Sequence, residues 1–228
     1  MPELPEVETT RRGIEPHIVG KAIKSVVVRQ PSLRWPVSPE LSQVMTGNRV
    51  TGISRRAKYL LFSTNTGRMM VHLGMSGSLR ITNGSTALKK HDHIDIVFDD
   101  GTVLRYHDPR RFGSVFWIPE GSSHELIDSL GPEPLSDEFN GSYLYELSRH
   151  RKLAIKLFIM NSKVVVGVGN IYANEALHAA GIRPDRLAGR VSRDRYATLS
   201  QEIKDVLTSA ISSGGTTLRD FVREDGTP

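Results

Sequence analysis

The period of the apolar residues changes once along this 228-residue chain, and that change limits the folds open to it more than any other feature. Up to about residue 120 the apolar residues come in short runs, at 22–29, 49–54, 59–64, 69–73, 78–82, 93–98, 102–106 and 113–118, rich in Val, Ile, Leu or Phe and bounded by turn residues. Such runs read as strands. Asp99-Asp100-Gly101 between two of them is a hairpin signal, because glycine supplies the positive φ that a tight turn needs. Farther on the spacing is helical: Tyr196, Leu199, Ile203, Val206, Leu207, Ala210 and Ile211 share one face of a helix that ends at Gly214-Gly215. A helix or two over 143–160, another over 170–180, and one before the strands to about Ile18 complete the pattern. Residues 121–142, with Gly131-Pro132-Glu133-Pro134, read as a linker. The expected fold is α+β: an opening helix and β-sandwich over 1–120, the linker, and an α-helical domain over 143–228.

Composition narrows the function classes. Lys and Arg number 30 against 25 Asp and Glu, and the net charge of +5 favours a polyanionic partner. With no cysteine, these residues can form neither a disulfide nor a thiolate metal site. No apolar run approaches the ~20 residues of a bilayer span, and Met1-Pro2-Glu3 lacks the basic start of a signal peptide, so a cytoplasmic protein is expected.

Residue 2 carries the chemistry. Once Met1 is removed, Pro2 has a terminal secondary amine, and an α-amino group titrates near ~8, so part of it is nucleophilic at neutral pH. Its attack on a carbonyl-level carbon gives an iminium that cannot shed its charge by losing an N–H, which acidifies the adjacent C–H and suits bond cleavage. Glu3 sets a carboxylic acid beside that amine. The same residues also suit a plain helix start, with Pro2 and Pro5 in the first turn and Glu3, Glu6 and Glu8 at the positive end of the dipole.

A second candidate is the glycine-spaced turn Val166-Gly167-Val168-Gly169-Asn170, which feeds a helix N-terminus. Its backbone N–H groups form an anion site that Arg151, Lys152 and Lys156 could extend towards a phosphate backbone; it could equally just join two helices. His91, His93 and Asp95 alternate on one strand face, which offers a metal-site alternative.

Six separated stretches in order, PELPEVET at the terminus, Arg56-Ala57-Lys58-Tyr59-Leu60, His72-Leu73-Gly74-Met75-Ser76-Gly77, Asp108-Pro109-Arg110-Arg111-Phe112-Gly113, Val166 to Tyr172 and Gly215-Thr216-Thr217, resemble bacterial formamidopyrimidine-DNA glycosylases. The resemblance runs from Met1 to Pro228 and implies a catalytic sandwich domain, a helix–two-turn–helix DNA-binding domain, and DNA in the cleft between them. It implies a bifunctional glycosylase and abasic-site lyase that excises 8-oxoguanine and formamidopyrimidines opposite cytosine in duplex DNA, working as a monomer. Pro2 would form the Schiff base, Glu3 would act as general acid and base, and Lys58 would transfer protons in the β-elimination that precedes δ-elimination. Met75, Arg110 and Phe112 would enter the duplex as the base flips out. His91, Arg110, Lys152, Lys156 and Asn170 would touch DNA, Glu6 and Glu175 would support the site, and Thr216, Thr217 and Arg219 would belong to the loop over the flipped base. Arg219 departs from the lysine of many relatives.

Without the resemblance, Met75 and Phe112 read as core, Arg110 as an ion-pair partner and Lys58 as a surface lysine. The chemistry needs no cofactor, and the zinc that relatives hold would require cysteines beyond Pro228 that this chain lacks. A chain ending there is expected to keep its fold and bind DNA poorly. Two other readings stand beside this one: a non-catalytic lesion-binding module, and an endonuclease VIII-like glycosylase for oxidised pyrimidines, whose terminus typically reads PEGPE where this one reads PELPE.

Overall fold

The computed structural model describes residues 2–214, which divide into two compact units. Thr216, Thr217 and Arg219 lie outside the described residues.

The first unit is a sandwich of two antiparallel four-stranded sheets. One sheet has the order β1 (Ile23–Val28), β6 (Asp92–Phe98), β7 (Thr102–His107), β5 (Ser78–Asn83); the other has β2 (Gly52–Arg56), β3 (Tyr59–Ser63), β4 (Gly67–His72), β8 (Ser114–Pro119). Inward residues of both sheets, among them Leu60, Phe62, Val71, Ile94, Phe98 and Leu104, meet in one core, joined by Val7, Ile14 and Ile18 of helix α1 (Leu4–Ile18) and by Leu41 and Met45 of α2 (Leu41–Met45). Burying each such side chain stabilises the unit by about 1.5–3 kcal/mol.

Asp95 is buried inside the sheet, and burial alone would raise its pKa; two hydrogen bonds from Arg105 (2.8 and 2.9 Å) and one from Arg29 (2.7 Å) outweigh that and hold it below the usual carboxylate range. His93, also buried, bonds through Nε2 to the Asp108 carbonyl at 2.7 Å. Both are thus engaged in structure, and no group of three metal-ligating side chains occurs among the described residues.

The strand over 49–54 sits farther on than its sequence indicates, at Gly52–Arg56, because the β2–β3 hairpin pairs Arg56 with Tyr59. Its turn consists of Ala57 and Lys58 alone, and Ala57 takes φ +54°. A glycine or asparagine would have advertised that turn; alanine does not.

The second unit comprises α3 (Glu125–Asp128), α4 (Gly141–Ser148), α5 (Ile155–Ile159), α6 (Asn170–Ala179), a 3₁₀ turn (Ala188–Arg190) and α7 (Arg193–Ser212). Asn140 caps α4 by accepting from the Tyr143 N–H at 3.0 Å, and Ser192 caps α7. Phe139, Leu144, Phe158, Tyr172, Tyr196 and Ile203 fill its core. A side chain at Gly141 would come within 2.5 Å of the Ala197 backbone, so glycine permits α4 and α7 to pack this closely.

The stretch 121–142 is more structured than a linker. From Glu125 onward it belongs to this unit: the Gly131 N–H donates to Ser162 O (2.8 Å), the Val166 N–H donates to Pro132 O (3.2 Å), and Phe139 is fully buried. Its Gly and Pro residues shape a packed meander.

Candidate active site and nucleic-acid interface

The glycine-spaced turn is an anion site, and its anion belongs to the chain itself. Glu3 groups with the second unit and is 2% exposed. Its carboxylate accepts from the backbone N–H groups of Gly169 (2.7 Å), Ile171 (2.9 Å) and Tyr172 (3.4 Å) at the start of α6. Orphan N–H groups and the positive end of the helix dipole favour a negative charge here by about 0.3–1 kcal/mol, and more where water is excluded.

The glycines make room for this seat. A Cβ on Gly169 would lie 2.4 Å from Glu3 Cδ, and one on Gly167, whose φ is +79°, would lie 2.5 Å from Leu4 Cδ1. The Leu4 N–H also donates to Gly167 O at 3.1 Å. The segment that follows Pro2 is therefore fixed on both sides, with Pro2 half-buried next to it. The expectation that these N–H groups receive a DNA phosphate is corrected at Gly169, Ile171 and Tyr172, because Glu3 takes them; Asn170 between them is exposed.

In the first unit, Lys58 occupies the two-residue β2–β3 turn. Arg55 steadies that turn by donating to Ala57 O (2.8 Å), and it is itself bonded to the buried Glu8 (3.3 Å). Next to Lys58 is His72, at the end of β4. Burial, with the charges of Lys58 and Arg34, pushes its pKa down to about 4 against the opposing pull of Asp108. The neutral ring accepts the Gly74 N–H at Nδ1 (3.0 Å), which puts its proton on Nε2.

Two loops of this unit are clasped by one carboxylate. Asp108 is fully buried and accepts from Ser76 Oγ (2.7 Å), the Tyr106 hydroxyl (3.0 Å) and the Gly113 N–H (2.9 Å); burial and that carboxylate raise the Tyr106 pKa far above the ordinary phenol. Ser76 Oγ in turn accepts the Arg110 N–H at 3.2 Å. A Cβ at Gly74 would strike the Phe112 carbonyl carbon at 2.4 Å, so that glycine lets the loops touch.

The result is a fixed display of Met75 (44% exposed) and Phe112 (41% exposed), with the Arg110 guanidinium 4.6 Å from the Phe112 ring centre. Neither apolar side chain is core, and Arg110 stacks on a ring and joins no ion pair among the described residues. Large apolar groups held out in water on braced loops are suited to enter a partner.

Of the other predicted residues, His91 is half-buried beside the rings of His93 and His107, at 6.1 and 6.0 Å, and its carbonyl accepts the Asp108 N–H. Glu6 is half-buried on α1. Lys152 is exposed just before α5 and Lys156 is half-buried on it, while Glu175 is exposed on α6. Asp108 and His72, which brace these loops by hydrogen bonds, were missed by residue-type reasoning; both stood inside the motifs that carry the resemblance, and that was the available signal.

Residues 1–115 match the formamidopyrimidine-DNA glycosylase N-terminal domain, and residues 130–222 match the formamidopyrimidine-DNA glycosylase H2TH domain. A β-sandwich with a braced apolar wedge, joined to a helix–two-turn–helix unit, defines the class of DNA glycosylases to which such domains belong. Similar curated proteins are named formamidopyrimidine-DNA glycosylase: that of Thioalkalivibrio sulfidiphilus is 59% identical over 99% of this chain and 84% of its own length, and that of Stenotrophomonas maltophilia strain K279a is 55% identical over 100% and 84%. The crystal structure of Lactococcus lactis formamido-pyrimidine DNA glycosylase non-covalently bound to an AP site containing DNA is similar, with a TM-score of 0.88 and 34% identity over 94% of this chain and 83% of that one. A Lactococcus lactis variant in complex with a Fapy-dG containing DNA gives a TM-score of 0.89 and 33% identity, over 100% of this chain and 83% of that one. The chain belongs to the formamidopyrimidine-DNA glycosylase family.

Proposed function

We propose that this chain excises oxidised purines, 8-oxoguanine and formamidopyrimidines, lying opposite cytosine, and then cleaves the abasic strand through a covalent link to Pro2. As a family member it is a DNA-formamidopyrimidine glycosylase of base excision repair; abasic-site lyase activity is part of the family function, and DNA is its partner. Action as a cytoplasmic monomer completes the reading.

The Pro2 nitrogen attacks C1′ of the flipped nucleotide. A C1′–N bond to the enzyme forms as the bond to the base breaks, and the base leaves with a proton. Breaking of the C1′–O4′ bond, with a proton passed to O4′, then opens the sugar to an iminium, which acidifies the C2′–H. Loss of that proton, with Lys58 in the relay, expels the 3′ phosphate, and a second elimination expels the 5′ phosphate. Glu3 exchanges protons around the sugar and offsets the positive charge of the intermediate.

Met75 and Phe112 fill the space the flipped nucleotide vacates, while Arg110 donates hydrogen bonds to the widowed cytosine. His91, Lys152, Lys156 and Asn170 hold phosphates, and Glu6 and Glu175 orient the reacting groups. Thr216, Thr217 and Arg219 lie outside the described residues, so their loop role rests on the resemblance alone. The residues present do not furnish the zinc site of the relatives, since the sequence has no cysteine, and no step here uses a metal.

The observation that carries this reading is the Glu3 carboxylate, buried and fixed at 2.7 and 2.9 Å by Gly169 and Ile171 next to the half-buried Pro2. Its test is borohydride trapping on an 8-oxoguanine duplex, with Met1-free and Met1-retaining protein. A covalent adduct is expected only with the Met1-free form, because Met1 would make the Pro2 nitrogen a non-nucleophilic amide. Equal trapping of both forms sinks the Pro2 assignment. Lesion binding without excision would point to a non-catalytic reader, and faster excision of oxidised pyrimidines to an endonuclease VIII-like preference.

A further inference from the structure

We propose that the helical unit carries a second DNA contact, an arginine-lined groove that takes the phosphate backbone of the duplex beyond the lesion. This rests on the DNA reading above, and the groove involves none of the residues assigned there. It is a hollow of about 500 Å³ whose charged lining is Arg183, Arg186, Arg190 and Arg195 against the single carboxylate of Asp185. A solvated surface ordinarily mixes its signs evenly; this lining sets four cations against one carboxylate.

The arginines differ in what they have left to give. Arg183 is ion-paired with Asp185 at 2.8 Å. Arg186 donates to the Arg190 carbonyl (3.1 Å), and Arg195 donates to the Ala180 and Gly181 carbonyls (3.3 and 2.5 Å). Neutral carbonyls orient a guanidinium without cancelling its charge, so Arg186 and Arg195 are held in place and, among the described residues, form no ion pair.

The groove is also rigid and continuous with the proposed phosphate contacts. Ile155 and Lys156 N–H groups donate to Arg186 O (2.7 Å) and Pro184 O (3.2 Å), while Ala188 and Gly189 N–H groups donate to Leu153 O (2.8 Å) and Arg151 O (3.0 Å). The arginine loop is thereby stapled to the segment that bears Lys152 and Lys156. A neighbouring hollow of about 390 Å³ shares Gly181, Ile182 and Arg183 with the groove and is lined by Asn174 and His178 of α6. Asn170, Asn174 and His178 are all exposed and spaced by four residues, so they form one stripe along α6. From Asn170 that stripe runs about 12 Å to His178, or roughly 3–4 base pairs at 3.4 Å per step. Duplex DNA held at Asn170 therefore reaches the arginines only if it continues past that distance.

The test measures the slope of log K against log salt on lesion duplexes with about 4 and about 12 base pairs on each side of the lesion. The full chain is compared with R186Q/R190Q and with Lys156→Gln, after circular dichroism has shown each variant folded. Each phosphate contact contributes roughly 0.9 units of slope, so R186Q/R190Q should flatten the slope by roughly two units on the long duplex only. Lys156→Gln should flatten it on both lengths. Loss from Lys156→Gln alone, with R186Q/R190Q unchanged or equally affected at both lengths, overturns the groove while leaving the DNA reading intact. No salt-dependent lesion binding by the parent chain overturns that reading itself. A slope restored by acidic polypeptide in place of long DNA would assign the groove to a protein partner and also overturn the proposal.

Discussion

Asp108 touches no DNA in the proposed mechanism, yet the presentation of Met75, Arg110 and Phe112 depends on it. Asp108→Ala leaves Ser76, Tyr106 and Gly113 donors without their buried acceptor, and each such loss costs about 1–3 kcal/mol. Urea unfolding should show a loss of at least about 3 kcal/mol, and lesion-duplex affinity should fall under conditions where the variant is still folded. Unchanged affinity in folded Asp108→Ala would mean that the loops are braced otherwise. His72 gives a pH signature: its folded pKa of about 4 lies below the unfolded value near 6.5, so between those values the unfolded chain binds a proton that the folded one refuses. This neutral-ring contribution is complete above about 6.5 and is lost as the pH falls towards about 4, by at most about 3 kcal/mol. His72→Asn should flatten that part of a stability-against-pH curve; an unchanged slope would assign it elsewhere. The sequence motifs contained both residues. Their roles were illegible there because Ser76 and Asp108, 32 positions apart, become partners only after the sheets stack.

At the scale of elements, the α6 N-terminus is the sharpest place to intervene. Gly169→Ala sets a methyl 2.4 Å from Glu3 Cδ, so the carboxylate must move. A displacement of about 1 Å can cost roughly 100-fold in rate, and single-turnover excision should fall by about that factor while the helical signal persists. Gly52→Ala, whose methyl meets open space in β2, should stay within about twofold of the parent. Equal rates in all three proteins would remove Glu3 from the chemistry. The strands of both sheets were legible from their apolar runs, and α7 from its helical spacing, because burial writes a period into sequence. Four things were not: the short α2; the 57–58 turn, where alanine takes a glycine-like conformation; the packed meander after Glu125, whose Gly and Pro content imitates a linker; and the α6 N-terminus, whose glycines signalled an anion without saying that the anion is Glu3.

For the whole molecule, two separate apolar cores supply the driving force for folding, and the described residues contain no group of three metal-ligating side chains. A strong chelator should therefore leave the melting temperature of the 228-residue chain unchanged. A drop of several degrees on chelation, reversed by zinc, would show a metal contribution. Glu3, Leu4 and Pro5 group with the helical unit, while α1 from Glu6 onward groups with the sandwich. Glu3 is separated from Gly169 by 166 positions and from Tyr172 by 169. During synthesis, which releases the N-terminal part first, the sandwich can fold while residue 3 still waits for its seat. The nascent protein thus cannot assemble this proposed catalytic corner early: the acid encoded third becomes useful only after Tyr172 has been made.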